Sequence, residues 1–112
     1  MPRNMSFMLT TAQVRSRTKR VTRRLGWADL KPGEVINMVE KCQGLKKGEK
    51  VVRLGQAVCM SNRPEPLNAI TKADCILEGF SDLEPAEFVE FFSKHNKCPV
   101  DQVVNRIEFD YV

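Results

Sequence analysis

The run Arg17-Thr18-Lys19-Arg20-Val21-Thr22-Arg23-Arg24 concentrates side chains able to do chemistry. Lys19 and Thr22 are three apart, so they share a side on a helix or tight turn but not on a regular strand. A threonine hydroxyl is a weak nucleophile that needs a base within hydrogen-bond reach. Lysine is ordinarily protonated, with a reference pKa of about 10.4. The positive charges of Arg17, Arg20, Arg23 and Arg24 push Lys19 toward the neutral form that can take a proton. The same cations suit an oxyanion or a phosphate. The competing reading of the run is a plain basic turn.

Charge is unevenly distributed around this run. Up to Lys31 there are eight basic residues against the single acid Asp29, and six of the eight lie between Arg15 and Arg24. The remainder is net negative within a whole-chain charge of +4. Such a cluster fits a phosphate-contacting surface for nucleic acid or a nucleotide. It also fits a solvated face paired with the acidic carboxyl-terminal half.

Other chemistries find no support. The sequence has no GxxxxGK[ST] loop, no GxGxxG after a strand and no HExxH. His95 is the only histidine, and a lone His at a helix end is ordinarily a surface or capping residue. Cys42, Cys59, Cys75 and Cys98 form no CxxC pair, so free thiols are expected rather than a zinc ribbon or redox dithiol. No metal and no cofactor is expected. No apolar run approaches the roughly 20 residues of a membrane-spanning helix. Met1–Leu9 turns polar and then basic, so no secretory signal is expected and the cytoplasm is the expected compartment.

The elements that must position these residues fit one domain over 1–112, of ordinary globular composition with 42% hydrophobic and 29% charged residues. Ser6–Thr10 reads as a first strand, and Thr10 or Thr11 as the cap of a short helix reaching about Thr18. Lys31-Pro32-Gly33-Glu34 and Lys46-Lys47-Gly48-Glu49 read as turns, with a strand over Val35–Val39 between them and Gly44 helping to end it. Val51–Ser61 reads as a strand with Gly55 at a bulge or close approach, ended by Pro64 and Pro66. Thr71 caps a helix ending at Gly79, and Pro85 opens one carrying Phe88, Val89, Phe91 and Phe92 to about His95. Asn105–Tyr111 alternates as a final strand with Ile107, Phe109 and Tyr111 on one face. The order β-α-β-β-β-α-α-β predicts a small α+β domain whose sheet curls into a barrel.

Three segments together resemble the ASCH domain family, relatives of the PUA RNA-binding fold. Lys19, Thr22 and Arg24 match its pattern of a Lys, a Thr or Ser three residues on, and an Arg two beyond. Leu30-Lys31-Pro32-Gly33-Glu34 resembles its turn into a barrel strand. Glu78-Gly79-Phe80, Glu87-Phe88-Val89 and Arg106-Ile107-Glu108-Phe109 resemble later segments of small stand-alone members. This chain adds Arg23 inside the pattern and Gly26-Trp27 after it. The resemblance implies a PUA-like β-barrel with flanking helices and a cleft beside the Lys/Thr segment. It implies RNA or a modified nucleoside as the partner, with DNA left open, and a monomer is expected.

The family includes amidohydrolases of 4-acetylcytidine, and their Lys, Thr and Glu fall by position on Lys19, Thr22 and Glu78. In that reading Thr22 attacks an amide carbonyl, Lys19 takes its proton, and Glu78 protonates the leaving amine or activates water. No metal is required. Other members are ribonucleases or RNA binders. The alternative reading is accordingly a binding module without turnover: Arg15, Arg17, Arg20, Arg23 and Arg24 grip phosphates, while Trp27 or Phe80 stacks on a base. Trp27 as a barrel cap, Glu78 as a helix-end carboxylate paired with an arginine, and a docking role for the Phe88/Phe91/Phe92 helix are further readings.

Overall fold

A computed structural model describes residues 2–41 and 48–112. Cys42, Gly44 and the first half of the Lys46-Lys47-Gly48-Glu49 turn lie outside the described residues. In chain order the elements are β1 (Arg3–Ser6), α1 (Thr11–Arg15), β2 (Val21–Arg24), β3 (Val35–Val39), β4 (Arg53–Pro66), α2 (Lys72–Leu77), α3 (Pro85–Asn96) and β5 (Val103–Tyr111). Short 3-10 turns occupy Met8–Thr10 and Leu67–Ala69. The strands form one mixed sheet in the order β1-β3-β4-β5-β2, curled into a half-barrel. Only the β1–β3 pair is parallel. The expected α+β class, curled sheet and element order are those observed, and the one strand to which the sequence reading assigned no residues is β2.

Two apolar clusters hold the fold. Met5, Phe7, Ile36, Met38, Cys59, Ile107 and Phe109 fill the concave side of the sheet. Leu67, Cys75, Phe88, Phe92 and Val104 join α2 and α3 to the other end. β5 serves both, because Ile107 and Phe109 face the first cluster while Val104 and Arg106 lie under the helices. The later helices follow the expected signals: the Thr71 hydroxyl accepts from the Asp74 amide, and Glu84 with Glu87 forms a capping box around Pro85, whereas at α1 Thr10 is the N-cap residue without a capping bond from its side chain.

Several boundaries depart from the expectation: α1 ends at Arg15, β4 begins at Arg53 and β5 at Val103, and the first strand and the far end of β4 differ for reasons that the packing gives. The first strand is Arg3–Ser6, because the parallel ladder ends at Phe7, whose amide donates to the Val39 carbonyl at 2.8 Å. The chain then turns, driving Phe7 into the core and leaving Met8 and Leu9 about half exposed, at 53% and 46%. Pro66 is the last residue of β4, but Pro64 lies inside it, and both are paired with β5. Strand β3 leaves β4 at Val58, and the Leu67 amide donates toward β5, to Gln102. By alternation the two proline nitrogens face the side that has no partner strand among the described residues, where a missing N–H is harmless.

Gly79 ends α2 at φ +95°, and a Cβ there would stand 2.7 Å from Gln13 Cγ. Gly33 has a similar φ, +91°, with no atom within 4 Å of its would-be Cβ. Both Ala variants carry a left-handed backbone penalty of about 1–2 kcal/mol, and Gly79→Ala adds an overpacking penalty of about 1–3 kcal/mol. Urea unfolding is therefore expected to show a larger loss for Gly79→Ala than for Gly33→Ala; equal losses would mean that Gln13 gives way freely.

Candidate functional site

Lys19 is delivered by a tight turn. Arg17 adopts φ +61° after α1, and the Thr18 and Lys19 amides both donate back to the Gln13 carbonyl. The turn points the Lys19 side chain inward just before β2 begins, and Lys19 is only 2% exposed. Its ammonium donates to Glu78 Oε1 at 2.6 Å and to the Glu78 carbonyl at 2.9 Å. Glu78 closes α2 as its C-cap residue and is equally buried. The Tyr111 hydroxyl donates to the Lys19 carbonyl at 2.6 Å, fixing the backbone from behind.

Thr22 and Arg24 are alternate residues of β2 and share a face. Arg24 Nε donates to the Thr22 hydroxyl at 3.1 Å, and its guanidinium lies 4.7 Å from the centre of the Phe7 ring. Lys19, Thr22, Arg23, Arg24 and Glu78 all border one cleft of about 260 Å³. Phe80, Phe91 and His95 supply an aromatic wall, with His95 stacked on Phe91 at 6.3 Å. Trp27 stands at the same cleft, held at φ +68° after Gly26 at φ +83°. Asn62 fixes this bend by donating to the Trp27 carbonyl, and Arg3 covers the indole at 4.6 Å.

The site's electrostatics are those of a buried, balanced cluster. Burial pushes Lys19 below its ordinary range; Glu78 opposes that shift, while Arg24 and Arg23 reinforce it. Arg23, with no exposed side-chain surface, meets Glu65 at 2.5 Å, Asp74 at 2.6 Å and Glu78 at 3.2 Å. Burial disfavours its cation, but these carboxylates outweigh that and raise its pKa. The Arg106 guanidinium grips Asp74 through both oxygens, at 2.7 and 3.0 Å. With Arg23 it holds the Asp74 carboxyl down at about 2.

The sequence-predicted residues thus divide. Lys19, Thr22, Glu78, Arg23, Arg24 and Trp27 come together at the cleft. Arg15, Arg17 and Arg20 stay outside it on an exposed flank, where Arg17 and Arg20 lie 5.4 and 5.5 Å from the Tyr111 ring centre. Arg15 pairs with Glu40 and Arg20 with Asp110. Asp74, Glu65 and Arg106 were not anticipated. Asp74 and Glu78 stand four apart on one short helix, a spacing legible as a two-carboxylate face, but nothing local tied it to Arg23. Among the described residues no group of three or more His, Cys, Asp or Glu side chains is placed to hold a metal ion. No helix among them is long and apolar enough to cross a membrane.

Asp74 makes the cluster acid-sensitive. Its folded-state pKa lies below the unfolded value of about 3.8, so the stabilisation is complete above that pH and is lost as pH falls toward 2. The increment is about 2 kcal/mol. Chemical unfolding of the parent chain and of Asp74→Asn, compared from pH 6 to pH 2, is expected to show their stability difference shrinking over that interval. A constant difference would remove the carboxylate's ionisation as the cause.

No family model matches this chain, and no curated protein matches it. Among solved structures it is similar to protein EF3133 from Enterococcus faecalis V583, described as DUF984, with a TM-score of 0.69 at 16% identity. That match covers 100% of this chain and 76% of the other, and what the two share is a fold: a curled sheet with flanking helices.

Proposed function

We propose that this chain is an ASCH-type, PUA-like domain whose cleft takes an acylated nucleobase and hydrolyses its amide. The observation that carries the reading is the buried Lys19–Glu78 contact of 2.6 Å, bordering the same cleft as Thr22. A lysine buried between an arginine-rich strand and a helix end loses its proton more readily than one in water, as a general base requires. The matching residue pattern around Lys19, Thr22 and Arg24 and the fold shared with a DUF984 protein support it further.

In this mechanism the Thr22 oxygen attacks the amide carbon and Lys19 accepts the hydroxyl proton. Arg24, already donating to Thr22, lies beside the oxygen that becomes negative. The C–N bond breaks as the proton passes through Glu78 to the leaving amine. Water then attacks the Thr22 ester and gives one proton to Lys19, which returns it to the Thr22 oxygen as the C–O bond breaks and the carboxylic acid leaves. The aromatic wall of Phe80, Phe91 and His95 accommodates the flat base.

Incubation with 4-acetylcytidine is expected to release cytidine and acetate. Lys19→Ala, Thr22→Ala and Glu78→Ala should each lower kcat/KM by about 100-fold or more. Full activity in Thr22→Ala would remove the covalent route.

A second reading, a single-stranded RNA- or DNA-binding module without turnover, is favoured by the exposed arginines flanking Tyr111. It predicts that oligonucleotide affinity falls steeply with salt and survives Thr22→Ala, measured by fluorescence anisotropy. Weak binding independent of salt would exclude it.

A further inference from the structure

Arg23 is the addition this chain makes inside the Lys/Thr/Arg pattern, and its guanidinium serves three carboxylates at once. Nη2 makes the short contacts, to Glu65 at 2.5 Å and Asp74 at 2.6 Å, whereas Nη1 reaches Glu78 at 3.2 Å. Asp74 and Glu78 project one turn apart from the same short helix, so their mutual repulsion is relieved by a cation lying between them. Arg106 holds Asp74 from the other side. Among the described residues, buried Arg23 Nε meets no hydrogen-bond partner. The guanidinium is therefore oriented by the acids at its tip rather than by satisfaction of every donor.

One positive charge divided among three carboxylates neutralises each only in part. Glu78 keeps the larger share of its charge for Lys19, at 2.6 Å, against the longer 3.2 Å contact to Arg23. We propose that Asp74 is a positioning residue for the Lys19–Glu78 pair, acting through Arg23. By sharing Nη2 with Glu65, Asp74 helps keep Arg23 from closing on Glu78. Without its charge, Arg23 turns to Glu78 and the attraction that holds a proton on Lys19 weakens. Arg106 has the opposite sign: it draws on Asp74, so its removal leaves Asp74 wholly to Arg23 and strengthens the Lys19–Glu78 contact. The catalytic consequence rests on the hydrolytic reading above, whereas the charge arrangement does not.

The charged groups involved are Glu78, Arg23 and Arg24 around Lys19; Lys19 and Arg23 around Glu78; Arg23 and Arg106 around Asp74; Arg23 and Arg63 around Glu65; and Glu108 beside Arg106. The test follows the side-chain NMR resonance of Lys19 against pH in lysine-labelled protein, alongside the pH–rate profile for 4-acetylcytidine. Asp74→Asn is expected to lower the pH at which Lys19 titrates by about one unit. The rising limb of the rate should move to lower pH by the same amount, because the neutral amine is the active form. Asp74→Glu should restore both, and Arg106→Gln should move both the opposite way. A merely structural role would leave the titration in place or shift it in one direction for both charge-removing variants, and either result overturns the proposal. Should Asp74→Asn not fold, Arg106→Gln decides: an upward shift supports the proposal, and no shift or a downward one overturns it. If the parent chain hydrolyses nothing, the hydrolytic reading fails and the Lys19 resonance alone decides the positioning role.

Discussion

The structure is organised around one constraint: a lysine from a turn and an arginine from the strand that follows it are buried against a short helix, and each must find an acid there. Lys19, Arg23 and Arg106 are matched by Glu78, Asp74 and Glu65, so with Lys19 protonated the formal charges balance in a cluster lying almost wholly out of water. Breaking one partner of such a set is far more damaging than the net worth of the set, since an unpaired charge is left behind. The cluster therefore fixes the seat of α2 against β2 and β5 more sharply than the apolar clusters could, because apolar contacts tolerate sliding and ion pairs do not.

That seating also makes the cleft. The sheet is open between its outermost strands, and the space there is lined by the end of β1, by β2 and by the helices. Its floor is charged and rigid; its margin is apolar, with Met8, Leu9, Leu25 and Phe91 all substantially exposed. A concave site with a few fixed polar groups beneath apolar walls is the usual form of a small-ligand pocket. The exposed arginines around Tyr111 lie beyond that pocket, so the basic character of the amino-terminal third serves two separate places.

Much of this was legible in the sequence, for identifiable reasons. Turn and cap chemistry is local, so Pro32-Gly33, Thr71, Gly79 and Pro85 marked their elements correctly. The alternation of β5 was clear because one face meets the concave core. Strand β2 was harder, since its residues are nearly all polar and gain burial only from partners elsewhere in the chain. The spacing of Lys19 and Thr22 suggested a helix or turn; instead Lys19 sits in a turn and Thr22 in a strand, and the change of backbone between them brings both to one cleft. Strand β4 does end at Pro66, but Pro64 lies inside it, because a missing N–H is harmless on an edge without a partner strand. Asp74, Glu65 and Arg106 were silent because an ion pair across 32 or 51 positions leaves no trace in local pattern.

The placement of those prolines has a consequence for how the molecule behaves in a crowd. Beyond Cys59, whose backbone bonds to Gly33 and Glu34, the outer edge of β4 has no neighbouring strand among the described residues, and an unpaired strand edge is a ready template onto which another chain can add. Pro64 and Pro66 withhold two successive amide donors along that margin, and the charged Arg63 and Glu65 alternate with them. A would-be added strand meets an interrupted ladder. The long strand that builds the base of the charge cluster can in this way remain uncovered without recruiting a second molecule into a growing sheet.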